Sequence, residues 1–462
     1  MYPFCQDFLT NIFRKKVEIL NMKNALLRGT ILLTLTGILC RILGFFYRIF
    51  LANVIGAEGM GIYQLIFPIY SICFSLCASG TETAISKLTA EKYALGKPLE
   101  ALRVLFSGIL LCLSLSIVCA FSIFHFADEI STIFLKEPGC ASLLRILAFT
   151  IPFGTTQSCI CGYYFGRHQA AIPSMAQLIE QGFRIGSVFL LYHLYVANNL
   201  QLSPAIAVIG LVFGEICSLL FTITCFTYSR QNFFINFKYF VSHSKELLSF
   251  STPLTVSRVC INLLASLEAT LLPTALKAYG MDSSTALSIY GIFTGMALPF
   301  ILFPNALTSS ISLMLLPEVS QFQANGQISH LKKTIHKSFS FCIILGFTGL
   351  IFFLIFGECL GNFVYSSSLA GDFITTLAWI CPFLYLNTTL SSVLNGLGKT
   401  NITFINGVIS LFLRIIFIWF TVPHFGIQGY LFGLLASQLF TTIYGGSFLY
   451  CTFKKTQQSS FS

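Results

Sequence analysis

Apolar residues in this chain fall into long unbroken runs, not into the alternation of a strand or the narrow stripe of a soluble helix. Twelve runs stand out, at about 29–51, 62–84, 103–126, 141–163, 170–193, 203–227, 247–272, 287–316, 338–358, 374–394, 402–421 and 427–450. Each can cross a hydrocarbon core of about 30 Å as a helix, for which about 20 residues suffice. A lipid-exposed span must satisfy its backbone internally, so the runs predict helices. The expected fold class is all-α integral membrane, with about 12 transmembrane helices and both termini on one side.

The runs repeat as two sets of six. Leu26-Leu27-Arg28-Gly29-Thr30 opens the first set and Leu247-Leu248-Ser249-Phe250-Ser251 the second. Ile62-Tyr63 matches Ile289-Tyr290, and Pro152-Phe153 leading to Gly166-Arg167 matches Pro382-Phe383 leading to Gly398-Lys399. Each set crosses six times, so the sets are parallel repeats about an axis along the membrane normal. The expected units are an extension 1–23, with Met22 as an alternative start, a six-helix bundle 24–227, a connector 228–246, a second six-helix bundle 247–450 and a tail 451–462. The two bundles would face each other across a central cleft. The paired Pro152 and Pro382 mark candidate hinges, since proline removes a backbone hydrogen bond.

Composition agrees with the pattern: 55% of the 462 residues are hydrophobic and 10% charged, against about a quarter charged in soluble domains. The net charge of +10 could indicate nucleic acid, but its placement excludes that reading. Nineteen of the 27 basic residues lie before the first run, in alternate loops or in the tail, and only Lys136 and Lys277 lie in the opposite loops. By the positive-inside rule the termini are cytoplasmic, in a multi-pass protein of the cell membrane. The 16 cysteines lie mostly within runs, where Cys behaves as a small hydrophobe. Neither metal nor cofactor is expected.

Six arginines and three glutamates lie within the runs, more than two residues from either end. A charge at mid-bilayer costs about 2.5–3.5 kcal/mol even on the lenient insertion scale, so each must face a partner, a wet cavity or a charged cargo. Arg41 and Arg48 are two turns apart and share a face of the first helix. Two guanidinium forks there suit bidentate phosphate binding. Arg258 and Asn262 share a face of the seventh helix and are expected to look toward them. Arg414 lacks a nearby carboxylate and joins the candidate cargo-binding set. Glu180 and Arg184, spaced i,i+4, are expected to pair on one helix. Glu215 is read as an arginine's partner. Glu268 has three open roles: holding a coupling proton or sodium ion, orienting Arg258, or meeting outer water. Arg145 is expected to snorkel.

Several motifs carry a family resemblance. Arg41-Ile42-Leu43-Gly44-Phe45-Phe46-Tyr47-Arg48, Gly56-Ala57-Glu58-Gly59-Met60-Gly61-Ile62-Tyr63, Ser257-Arg258, Gly295-Met296-Ala297-Leu298-Pro299 and Asn395-Gly396-Leu397-Gly398-Lys399-Thr400 resemble the stage V sporulation protein B family. That family lies in the multidrug/oligosaccharidyl-lipid/polysaccharide (MOP) exporter superfamily, whose drug-exporting (MATE) branch has the same two-bundle plan. The resemblance covers about residues 24–450. It implies a flippase moving an undecaprenyl-pyrophosphate-linked sugar or a lipid II-like precursor outward in spore cortex synthesis. It also implies the bilayer and cell-wall synthases as partners, with a proton, a sodium ion or the membrane potential as driving force. MurJ-type lipid II flippases share the Arg41-x-Leu43-Gly44-Phe45 pattern. Where they carry pocket arginines this chain has Ile72 or Cys73, and Tyr47; the family usually has fourteen helices.

Two other functions share parts of this pattern. A cation-coupled multidrug exporter shares the architecture but favours a cleft with carboxylates. Spans 8 to 12 here contain none once Glu358 is assigned to an outer loop. A membrane glycosyltransferase or polymerase needs an acid/base or metal constellation, and the short outer loops show no paired motif, so the chain is not expected to be an enzyme.

Overall fold

The structure, a computed structural model, describes the backbone of residues 2–228, 237–325 and 327–459. It describes the side chains of residues 32–227 and 244–453, except 317, 324 and 326. Residues 229–236 of the expected connector lie outside the described residues, as do the side chains of the extension and most of the tail. No strand occurs among the described residues.

The first bundle contains α1 (Tyr2–Phe74), α2 (Gly80–Ala94), α3 (Pro98–His125), α4 (Cys140–Ala148), α5 (Thr150–Gly166), α6 (Ala171–Ala197) and α7 (Ala205–Tyr228). The second contains α8 (Phe237–Ala278), α9 (Ser283–Gly291), α10 (Leu298–Leu302), α11 (Asn305–Ala324), α12 (Ile328–Tyr365), α13 (Ser368–Leu377), α14 (Cys381–Gly396), α15 (Thr400–Phe420) and α16 (Ile427–Ser459). Single π turns, Ser75–Ser79 and Ile292–Ala297, join α1 to α2 and α9 to α10.

Among the described residues, eight helical stretches are long and apolar enough to cross a membrane, or nine with the bent pair α4–α5. One of them, Leu32–Ala94, would be about 95 Å long at 1.5 Å per residue, three times the hydrocarbon thickness. Gly56 resolves this: its φ of 72° and ψ of 179° break the helix at a conformation only glycine adopts freely. Dividing the stretch there gives ten, and α6 (27 residues) and α16 (33 residues) are long enough to bring the total to the expected twelve.

The paired prolines act alike. Each ring clashes with the carbonyl four residues earlier. Pro152 therefore disturbs residue 148, where α4 and α5 meet at 40°. Pro382 disturbs residue 378, where a 3₁₀ turn, Ala378–Ile380, separates α13 from α14.

The core shows how the bundles meet. On the far side, opposite the termini, a single apolar cluster joins them: Leu51, Met60 and Leu144 pack in the same core as Leu287, Phe373 and Tyr430. Toward the terminal side the core splits. Ile85, Leu105 and Tyr164 belong to a cluster in the first bundle, and Val319, Leu331 and Leu394 to another in the second. The bundles are thus fused at one end and separately cored at the other.

Helix α8 bridges the split. Its terminal-side half lies against the first bundle, where Leu247 enters the first-bundle cluster and Lys87 sits 3.7 Å from the Phe250 ring centroid. Its far half packs against α15 of the second bundle.

Candidate functional site: an arginine-lined cavity between the bundles

Between α1 and the α10–α11 break lies a cavity of about 380 Å³. From α1 it receives Arg41, Phe45 and Arg48; from the other wall, Phe303, Asn305 and Ser309. The Pro304 ring interrupts the helix between α10 and α11, which places Asn305 on the wall at the break. Both arginines are exposed, and neither forms an ion pair with a carboxylate among the described residues. Nη1 of Arg41 donates to the Ala306 carbonyl at 3.2 Å. Phe45 packs edge-on to Phe300 and tilted to Phe303, with centroids 5.0 and 4.8 Å away. Chemically this is a cationic chamber with an amide and a hydroxyl opposite, floored by aromatic rings.

Arg258 and Asn262 do not join that cavity. Nη1 of Arg258 donates to the Ser79 carbonyl at 2.5 Å and also to the Ser79 hydroxyl; Nη2 reaches Thr83 Oγ1 at 3.3 Å. Asn262 donates to the Ser71 carbonyl at 3.3 Å and to the Ser75 hydroxyl. A π turn disrupts the regular i→i−4 ladder, and the polar groups of this one are met by α8.

Arg414 also lies elsewhere, inside the second bundle. Its Nη1 is 2.9 Å from Glu268 Oε1, which accepts a second bond from the Tyr430 hydroxyl at 2.7 Å. Glu268 is thus a charge partner of Arg414, 146 positions away in sequence, and not of Arg258. The first bundle has its own pair: Arg184 and Glu180 are joined on α6. Arg145 pairs with Asp128 at 2.6 Å.

Glu215 lies in a second cavity, of about 370 Å³, within the first bundle. Tyr70 donates to it at 3.2 Å, and Glu82, Glu180, Gln157 and Ser158 share the lining. Ser158 donates to Glu82 at 2.7 Å. Glu82 was missed in the sequence although it falls within the 62–84 run. A carboxylate at the margin of a span reads as a headgroup contact, whereas the structure turns it inward.

Comparison with known proteins fits this geometry. Residues 26–323 match the family described as polysaccharide biosynthesis protein, and residues 274–420 match the MatE family. The chain belongs to the polysaccharide biosynthesis protein family. Within the MOP superfamily it resembles stage V sporulation protein B of Bacillus subtilis, at 27% identity over 91% of this chain and 83% of that protein. The lipid II flippase MurJ of the same organism is 21% identical over 86% and 77%. Among solved structures, an inward-facing MATE-family transporter of the MOP superfamily superposes with a TM-score of 0.69 at 14% identity, covering 91% of this chain and 96% of that one. A MOP superfamily transporter from Pyrococcus furiosus gives 0.64 at 14% identity, over 94% and 96%. These structural likenesses establish the fold. The chain is therefore a multi-pass membrane protein and a MOP-superfamily flippase or transporter.

On the far side the two bundles approach backbone to backbone. A Cβ on Gly291 would lie 2.0 Å from the Ala57 carbonyl oxygen, and one on Gly61 would lie 2.2 Å from that of Leu287. The backbones of the two bundles thus touch. Around them Ser284 donates to Glu58 at 2.6 Å and Ser283 to Glu137 at 3.0 Å, while Lys277 lies 3.5 Å from Glu137. Gly291→Val is expected to wedge this far-side contact apart. Cys40, which lines the cavity, should then react with an impermeant thiol reagent added on the far side, read by peptide mass spectrometry. Unchanged protection of Cys40 would show that the glycine contact does not seal the cavity.

Proposed function

We propose that the protein is a flippase for a polyprenyl-diphosphate-linked sugar, moved outward across the cytoplasmic membrane by alternating access, with both termini cytoplasmic. The carrying observation is that Arg41 and Arg48, at membrane depth, line one cavity with no carboxylate among its lining residues. A diphosphate supplies the missing negative charge, and guanidinium forks hold its oxygens bidentately. Asn305 and Ser309 offer hydrogen-bonding groups suited to sugar hydroxyls. The similarity to a stage V sporulation protein and to a lipid II flippase supports a cell-wall precursor as cargo, with spore cortex as its destination and cell-wall synthases as downstream partners. The fused far-side core and divided terminal-side core match a state open toward the cytoplasm.

Native mass spectrometry of the purified protein tests this reading. A co-purifying polyprenyl diphosphate carrying sugar is the expected result. The alternative is a cation-coupled multidrug exporter, which the carboxylate-lined second cavity favours. Binding of organic cations without any prenyl diphosphate would select that alternative.

A further inference from the structure

The two bundles exchange arginines across their seams, and the acceptors are equivalent positions in the repeat. Arg41, on the first helix of the first bundle, donates to the Ala306 carbonyl on the second transmembrane rod of the other bundle. Arg258, on the first helix of the second bundle, donates to the Ser79 carbonyl on the second rod of the first. Ser79 and Ala306 are separated in sequence by the same interval as Tyr63 and Tyr290, the residues that align the repeats.

The two crossings differ in strength and setting. Arg258 makes three bonds, and Asn262 adds two more, one to Ser71 just before the π turn and one to Ser75 within it. Gly80 reinforces that seam: a Cβ there would lie 2.7 Å from the Ser251 carbonyl oxygen. Arg41 makes one hydrogen bond, to a carbonyl that also accepts from the Ser310 hydroxyl at 2.9 Å, and it stands in the cavity. A guanidinium bound to one neutral carbonyl is readily taken by a diphosphate, whose charged oxygens make shorter and stronger bonds.

We propose that the Arg41–Ala306 contact is a clasp released by the cargo's diphosphate, while the α2–α8 seam held by Arg258 stays closed as a fixed strap. This rests on the functional reading above and adds which seam moves and what moves it. The anionic head takes the Arg41 guanidinium, the link between α1 and α11 is lost, and the bundles separate along that seam alone. Arg41 is then a positioning residue for the bundles as well as a ligand for the cargo.

Paired distance measurements test the proposal. Sixteen native cysteines rule out simple thiol labelling, so azido amino acids carry the labels. One pair, at Leu35 and Leu313, spans the α1–α11 seam; the other, at Leu76 in the π turn that leads into α2 and Val256 on α8, spans the seam held by Arg258; all four side chains are exposed. The probe is farnesyl diphosphate, with farnesol as the uncharged control, and its binding is measured on the same samples. The first distance is expected to lengthen with the diphosphate only, and the second to stay fixed. Arg41→Ala should show the longer first distance without probe and no further response. Binding of the diphosphate without any change in the first distance would overturn the clasp and leave the flippase reading intact. An Arg41→Ala protein with the wild-type distance would do the same. Failure of the wild type to bind farnesyl diphosphate in preference to farnesol would overturn both.

Discussion

The Arg41→Ala, Arg48→Ala double variant is expected to insert and fold normally yet lose translocation of its lipid-linked cargo by about 100-fold or more. Hydrogen bonds to charged groups contribute about 1.5–3 kcal/mol each, and about 1.4 kcal/mol is a factor of ten. Two such guanidinium contacts therefore set the magnitude. Folding is spared because both side chains are exposed, and Arg41 gives up a single hydrogen bond. Reconstitution into vesicles with a labelled polyprenyl-diphosphate sugar checks the rate, with gel filtration confirming intact protein. Arg41→Lys should keep part of the activity, since an ammonium retains charge but not the fork. Wild-type rates in the double variant would remove the cavity from the transport path.

Glu268→Gln is expected to cost about 3–5 kcal/mol of stability, the range for removing one partner of a buried ion pair. The Glu268 and Arg414 side chains are 10% and 20% exposed, so the guanidinium left behind has little water to turn to. The Tyr430 hydroxyl also loses a charged acceptor. Replacing both partners, as in Glu268→Gln with Arg414→Met, should recover most of the loss, because no uncompensated charge then remains. Thermal denaturation in detergent distinguishes the two. Equal melting of the single variant and the wild type would mean that the pair is effectively solvated.

Twelve spans and two parallel bundles were legible because the bilayer imposes length and apolarity on every crossing. The clustering of Arg41 and Arg48 followed from helical periodicity, which needs no tertiary knowledge. The placement of Arg258 and Arg414 did not follow. Both lie deep in spans just as Arg41 does, and nothing local shows that one meets the π turn between α1 and α2 and the other Glu268, 146 positions away. The π turn itself, in Ser75–Ser79, has no distinctive residue type. Glu82 does not stand out in the sequence, because the edges of a span are uncertain by a turn. Its inward aim depends on Ser158 from α5. The division of α8 between bundles was hidden because the repeat places its whole length in the second, while Gly80 and Leu247 bring its terminal-side half to the first.

The most direct measurement is a cryo-electron microscopy structure of the protein saturated with a polyprenyl diphosphate. The expected density places the phosphates within hydrogen-bonding reach, about 2.7–2.9 Å, of the Arg41 and Arg48 guanidinium groups, with Arg41 withdrawn from Ala306. Density for the diphosphate outside this cavity, with Arg41 still bound to the Ala306 carbonyl, would contradict the central claim.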